Sequence, residues 1–197
     1  MSALSGQDIQ RASLVIPRWG VWWADVLTAS DEPLDVGGSV ELEINGLSLQ
    51  GTIVDGGVDE GTAAGWYRVV GGAGGWRKTI EAHAYRSEAG VTLVTVLTDV
   101  ANACGETLGA VPSTPIGPAF VRPTGAASTV IDLLSEEQWY VDNDGITQLG
   151  VRPAKPFEAD YTVIKRGMSA RSATVAADDI SELVPGATLG ELGEVAS

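Results

Sequence analysis

Ser39-Val40-Glu41-Leu42-Glu43-Ile44-Asn45-Gly46-Leu47-Ser48-Leu49-Gln50-Gly51-Thr52-Ile53-Val54 reads as two β-strands and the turn that joins them. Val40, Leu42 and Ile44 alternate with Glu41 and Glu43, so the aliphatic side chains share one face of a strand and the acids the other. Asn45-Gly46 is the strongest hairpin signal in the chain, because a type I′ turn needs two residues that tolerate positive φ. Leu47–Val54 is then the return strand, and one half-buried hairpin is set.

Working outward, the preceding segment carries short β runs at Ala12–Pro17 and Val21–Leu27, divided by Arg18-Trp19-Gly20. After the hairpin, Asp55–Ala64 reads as a flexible acidic loop. Trp66–Val70 and Arg77–Tyr85 read as a further strand pair joined by Gly71-Gly72-Ala73-Gly74-Gly75. Closing these strands into a small barrel or sandwich is the economical arrangement. The pattern changes at Val91: Val91, Val94, Leu97, Val100, Ala101 and Cys104 recur at helical steps, with Gly105 placed to end the helix. Pro112, Pro115, Pro118 and Pro123 mark a connector, since each removes a backbone donor and disfavours helix before it. Ala126–Glu137 predicts a second helix, and Trp139-Tyr140-Val141 a strand that turns at Asp142-Asn143-Asp144-Gly145 and returns through Ile146–Val151. Tyr161–Lys165, Ala173–Ala177 and a short strand near Thr188–Leu192 follow, the last after a turn at Leu183–Gly186. The expected fold is therefore α+β and β-rich, in three parts. Residues 1–88 form a small N-terminal β-barrel, 89–152 a helix-helix-hairpin segment, and 153–197 the strands of a C-terminal antiparallel sheet that complete a second β domain.

Composition narrows the function. The chain has 197 residues, 44% of them apolar, and a formal net charge of −14 from 26 acids against 12 Lys and Arg. Phosphate recognition needs clustered cations, so nucleic acid is not expected as a ligand; DNA enters only as passing cargo that an acidic channel wall would not hold. Acidity that simply maintains solubility is the other reading. Cys104 is the single cysteine, which excludes an intrachain disulfide and a CxxC metal site. The N-terminus lacks a signal-peptide pattern and no apolar run reaches the ~20 residues of a membrane span, so a soluble protein without membrane insertion, made in a reducing cytoplasm, is expected.

His83 is the only histidine and sits in a strand-like alternation, so no histidine-pair metal site can form and a structural role is favoured. Cys104 lies on the apolar side of the predicted helix and reads as a core residue. Gly71–Gly75 lacks the GK[ST] and the helix that a phosphate loop requires; it reads as a hairpin tip, with a close backbone approach by another subunit, centred on Gly74, as the alternative. Asp142 and Asp144 fit a tight turn better than a calcium loop, and Asp55, Asp59 and Glu60 have no spacing that fixes a carboxylate pair. No catalytic residue, metal or cofactor is expected. The compositional oddity is six tryptophans, Trp19, Trp22, Trp23, Trp66, Trp76 and Trp139, placed at strand starts and beside turns. Such rings plug barrel ends or anchor interfaces, and the interface reading is favoured over sugar stacking.

Gly90-Val91-Thr92-Leu93-Val94-Thr95-Val96-Leu97-Thr98-Asp99-Val100-Ala101-Asn102-Ala103-Cys104-Gly105-Glu106 resembles the helix that follows the first barrel in the phage tail-hub family of the late-control D type, which includes the central hub of contractile-tail baseplates. Thr124–Val151, with its helix and D-x-D-G hairpin, and the stretches Ala173-Thr174-Val175 and Leu183-Val184-Pro185-Gly186 are similar to later parts of that family. About half of the chain carries the resemblance. It implies a homo-oligomeric ring, most simply a trimer, at the tail tip of a virion. Partners would be tail-tube, tape-measure and spike or fibre proteins. Hub proteins are usually longer, so a shortened hub or a neighbouring baseplate subunit is equally consistent, and a carbohydrate-binding or host-recognition β-module is the alternative function.

Overall fold

The computed structural model describes residues 2–59, 61–153, 155–167 and 172–195. Its first six strands are β1 (Ala3–Leu4), β2 (Gln7–Val15), β3 (Trp23–Thr28), β4 (Ser39–Ile44), β5 (Leu47–Asp59) and β6 (Ala64–Gly71). They close into a barrel in the order β1-β2-β3-β6-β5-β4, because β1 pairs with both β2 and β4 and so leaves no free edge. The predicted hairpin holds: Ile44 pairs with Leu47, and Asn45 and Gly46 adopt φ of 44° and 87°. Leu42, Leu47, Leu49 and Ile53 from this hairpin are buried in the barrel, while Glu41 and Glu43 face outward.

Two expectations for this half need correction. Asp55–Ala64 is mostly strand: β5 runs on to Asp59 after a bulge between Ile53 and Asp55, and pairs with β6 as far as Ala64. The bulge absorbs one residue and lets the acidic, glycine-rich sequence keep its ladder. Gly71–Gly75 is not a hairpin tip, because β6 pairs with β3 and β5 and not with the segment that follows. That segment is instead divided between β7 (Thr79–Ile80) and β8 (His83–Thr92).

Helix α1 (Leu93–Cys104) buries Leu93, Val96, Leu97, Val100, Ala101 and Cys104. Thr92 caps it through its hydroxyl, which accepts from the Thr95 N–H at 3.3 Å, and Gly105 ends it in the left-handed conformation. The proline-rich connector is a strand, β9 (Pro115–Arg122), paired with β8 in a two-stranded ribbon. In such a ribbon both strands are edges, so prolines without N–H donors are tolerated, and the register breaks around Pro118. β10 (Gly125–Ala126) pairs with β7 and leads into α2 (Ala127–Leu134). That helix stops earlier than its apolar pattern suggests, since Glu136 and Glu137 take φ of 54° and 63°.

β11 (Trp139–Val141) and β12 (Thr147–Leu149) form the expected hairpin. Asp142 closes its turn by accepting N–H bonds from Asp144 at 3.1 Å and Ile146 at 2.9 Å. The hairpin leans on the barrel: Gly20 donates to the Trp139 carbonyl at 2.6 Å, and Gln50 to that of Asn143 at 2.8 Å. One apolar core consequently runs from Leu4 in the barrel through both helices to Val141. A smaller cluster around Phe157, Ala187 and Leu189 holds the C-terminal strands. These are the antiparallel ribbon β14 (Tyr161–Gly167) and β15 (Ser172–Ala177), and a sheet of β13 (Lys155–Pro156), β16 (Ala187–Leu189) and β17 (Gly193–Glu194). The β13–β16 pair is parallel.

Candidate interface on the barrel wall

Successive side chains of a strand point to opposite faces, and this divides the tryptophan pair at the start of β3. Trp22 turns inward and is 1% exposed. It fits only because its neighbours lack side chains: a Cβ on Gly51 would stand 2.8 Å from the Trp22 ring, and one on Gly71 2.5 Å from its Nε1. Trp23 turns outward and is 37% exposed, flanked by Val15 at 38% and Val54 at 41%, with Trp66 at 43% farther along the same wall. Asp25 and Arg68 lie between these rings and bond through two oxygens at 2.8 and 2.9 Å. The hydrogen bond from Arg68 holds the Asp25 carboxyl below its usual range and raises the guanidinium pKa in return. Arg68 also stands 5.5 Å from the centre of the Trp23 ring.

The remaining tryptophans separate in the same way. Trp76 is 1% and Trp139 4% exposed; they pack together at 5.3 Å, with Trp76 donating to the Thr147 hydroxyl at 2.9 Å and Trp139 to Asp132 at 2.6 Å. Trp19 is half-buried beneath Arg18. Of the six rings expected at interfaces, Trp22, Trp76 and Trp139 are thus buried within the protomer. They fill the protomer's own core, and Trp22 and Trp76 also border the cleft described below. Trp19, Trp23 and Trp66 remain accessible.

The glycine-rich loop holds a carboxylate of its own chain. Glu106, 7% exposed, sends its carboxylate into the loop, where it accepts N–H bonds from Ala73 at 3.1 Å and from Gly75. Successive backbone amides of such a loop form an anion-binding nest. Here the anion is the chain's own carboxylate. Gly72 and Gly74 supply φ of 70° and 69°, and at Gly75 a Cβ would stand 2.2 Å from the Cys104 carbonyl, so the close approach is to this chain's own helix end.

Between the loop and the barrel wall lies a cleft of about 450 Å³, floored by Trp23, Val54, Val70 and Trp76. Gly74 lies in its wall, and Arg68, Arg77 and Lys78 line it. Of these lining residues the sequence singled out Trp23, Trp76 and Gly74 but not Val54, the three cations or Glu106. The available signal was Arg77-Lys78, adjacent cations in a chain with few.

Elsewhere the reactive residues are occupied structurally. His83 is exposed and packs on Tyr85 at 4.5 Å, while burial pushes the Cys104 thiol up. Asp55 and Asp59 accept from the backbone N–H groups of Gly56 and Gly61, both at 2.9 Å, and Glu60 lies outside the described residues. Among the described residues no three His, Cys, Asp or Glu side chains converge as a metal site. No helix there is long and apolar enough to cross a membrane.

No family model matches the sequence, and no curated protein matches it either. Solved structures do match in shape. The 43 kDa tail protein of prophage MuSo2 from Shewanella oneidensis aligns with a TM-score of 0.53, covering 89% of this chain and 67% of that one at 10% identity. A tail protein from Neisseria meningitidis MC58 aligns at 0.54, covering 93% and 69% at 14% identity. The fold is that of tail proteins. At such identity the likeness is one of fold.

Proposed function

We propose that this chain is a structural, non-catalytic subunit of a phage tail tip or baseplate hub, which forms a ring with copies of itself and connects the tail tube to a spike or fibre. The supporting observation is the tail-protein fold, shared along about nine-tenths of the chain with two tail proteins. The outer barrel wall fits the role: Val15, Trp23, Val54 and Trp66 expose large apolar side chains on one closed barrel, which has no free strand edge to pair with a neighbour. Association through this wall must then use side chains. In this reading the virion is the site of action, a trimer is the simplest ring, tube, tape-measure and spike proteins are the neighbours, and DNA passes without being bound.

Sedimentation equilibrium on the purified protein, paired with its copy number in purified particles, is the test. A stable species at a multiple of 20.4 kDa, threefold for a trimer, is expected. A monodisperse 20.4 kDa particle at micromolar concentration in native salt, with the protein missing from virions, overturns the proposal.

A further inference from the structure

The cleft beside Trp23 runs against the charge of the molecule. In a chain of formal charge −14, three of only 12 Lys and Arg residues line this one depression. The nearby carboxylates have partners: Arg68 holds Asp25, the glycine-rich loop holds Glu106, and Asp55, which lies opposite Arg68, accepts from the Gly56 N–H. Among the described residues no carboxylate lies within ion-pairing distance of Arg77 or Lys78. Lys78 gives one hydrogen bond to the Cys104 carbonyl at 3.0 Å, which leaves two of its donors free. An apolar floor under free cations suits an apolar side chain flanked by carboxylates. Two free cations are too few to hold a nucleic acid backbone.

One exposed segment of this chain has that chemistry. Asp31-Glu32-Pro33-Leu34-Asp35-Val36 connects β3 to β4 and contains no cation. Asp31, Glu32 and Asp35 are exposed, and Val36 is 57% exposed at its tip. Among the described residues none of the three carboxylates takes part in an ion pair. The loop is also held in shape: the Leu34 N–H donates to the Tyr67 hydroxyl at 3.0 Å, and that of Gly37, at φ +88°, to the Ile53 carbonyl at 2.7 Å. A preformed loop loses little conformational entropy on docking.

We propose that the cleft receives the Asp31–Val36 loop of a second copy of this chain, with Val36 against Trp23 and Val54 and the acids against Arg77 and Lys78. Cleft and loop are different surfaces, so the contact is heterologous, the kind that generates a ring when its rotation closes. The inference rests on the homo-oligomer reading above and specifies the contact that makes it.

Charge reversal tests it. Sedimentation velocity, with circular dichroism to confirm folding, compares wild type, the cleft variant R77E/K78E, the loop variant D31K/E32K/D35K, and a chain carrying all five substitutions. Each partial variant is expected to weaken self-association at least tenfold, and the five-substitution chain to restore it. Wild-type association should also weaken as salt rises. If wild type is itself monomeric, both this contact and the oligomer reading fail. If wild type associates and neither reversal weakens it, or only the cleft reversal does, the loop-in-cleft contact is refuted while the oligomer reading stands.

Discussion

Replacing Glu106 by alanine tests whether the glycine-rich loop is held by an internal carboxylate. The side chain is 7% exposed and accepts from two backbone N–H groups, one on Ala73 and one on the buried Gly75. A hydrogen bond to a charged group contributes about 1.5–3 kcal/mol, and a buried donor left without its partner carries the full desolvation penalty. The Gly75 donor loses its acceptor completely, whereas that of Ala73, on an exposed residue, recovers part of the loss through water. Release of the carboxylate from burial offsets some of this, and the balance is a loss of roughly 2–4 kcal/mol. At a urea dependence of about 2 kcal/mol per molar, the unfolding midpoint falls by roughly 1–2 M. Glu106→Gln, which keeps one acceptor oxygen, should lose about half as much. Hydrogen exchange gives the local readout: the Gly75 amide should lose protection before the barrel does. Exposed Glu88 supplies the control, its alanine variant staying within about 0.5 kcal/mol of wild type. A Glu106→Ala protein that unfolds where the Glu88→Ala protein does, with an unchanged slope, refutes the nest.

Gly75→Ala places a methyl group 2.2 Å from the Cys104 carbonyl, where backbone meets backbone, and should cost about 2 kcal/mol or more. Gly57→Ala meets nothing within 4 Å and should be near neutral, so equal melting temperatures for the two would sink the argument. Tyr85 has its pKa pushed up to about 12, chiefly by burial and then by its hydrogen bond to Asp99. The unfolded phenol ionises near ~10, so the stability gained by keeping it protonated is full below that pH and is lost as pH rises through about 12. Tyr85→Phe should flatten this alkaline loss in denaturation midpoints, and parallel losses in both proteins would count against it. Asp25 has the opposite sign: its depressed pKa adds stability above the usual carboxylate range that disappears on acidification, and Asp25→Asn should remove that acid dependence.

The elements that could be read in advance were those whose signal is contained in neighbouring residues. The Ser39–Ile44 strand, the Asn45-Gly46 turn, the Gly105 helix stop and the Asp142–Gly145 turn depend on alternation, on tolerance of positive φ or on a side chain closing its own loop. Two further readings failed because the deciding partner is far along the chain. Pro115–Arg122, within the proline-rich connector, is an edge strand because β8 is there to pair with it, and Gly71–Gly75 is a nest because Glu106 reaches it from beyond α1.

The sequence by itself determined a β-rich barrel followed by helices, a turn chemistry that leaves little choice of hairpin, and a formal net charge of −14. Only the tertiary structure decided which tryptophans seal the core and which remain on the surface. Alternation says that Trp22 and Trp23 point apart but not which side is inside; barrel closure settles it by setting Trp22 against Gly51 and Gly71. Placing Arg77 and Lys78 around an apolar cleft likewise required folding, because a charge pattern becomes a surface only when distant strands meet.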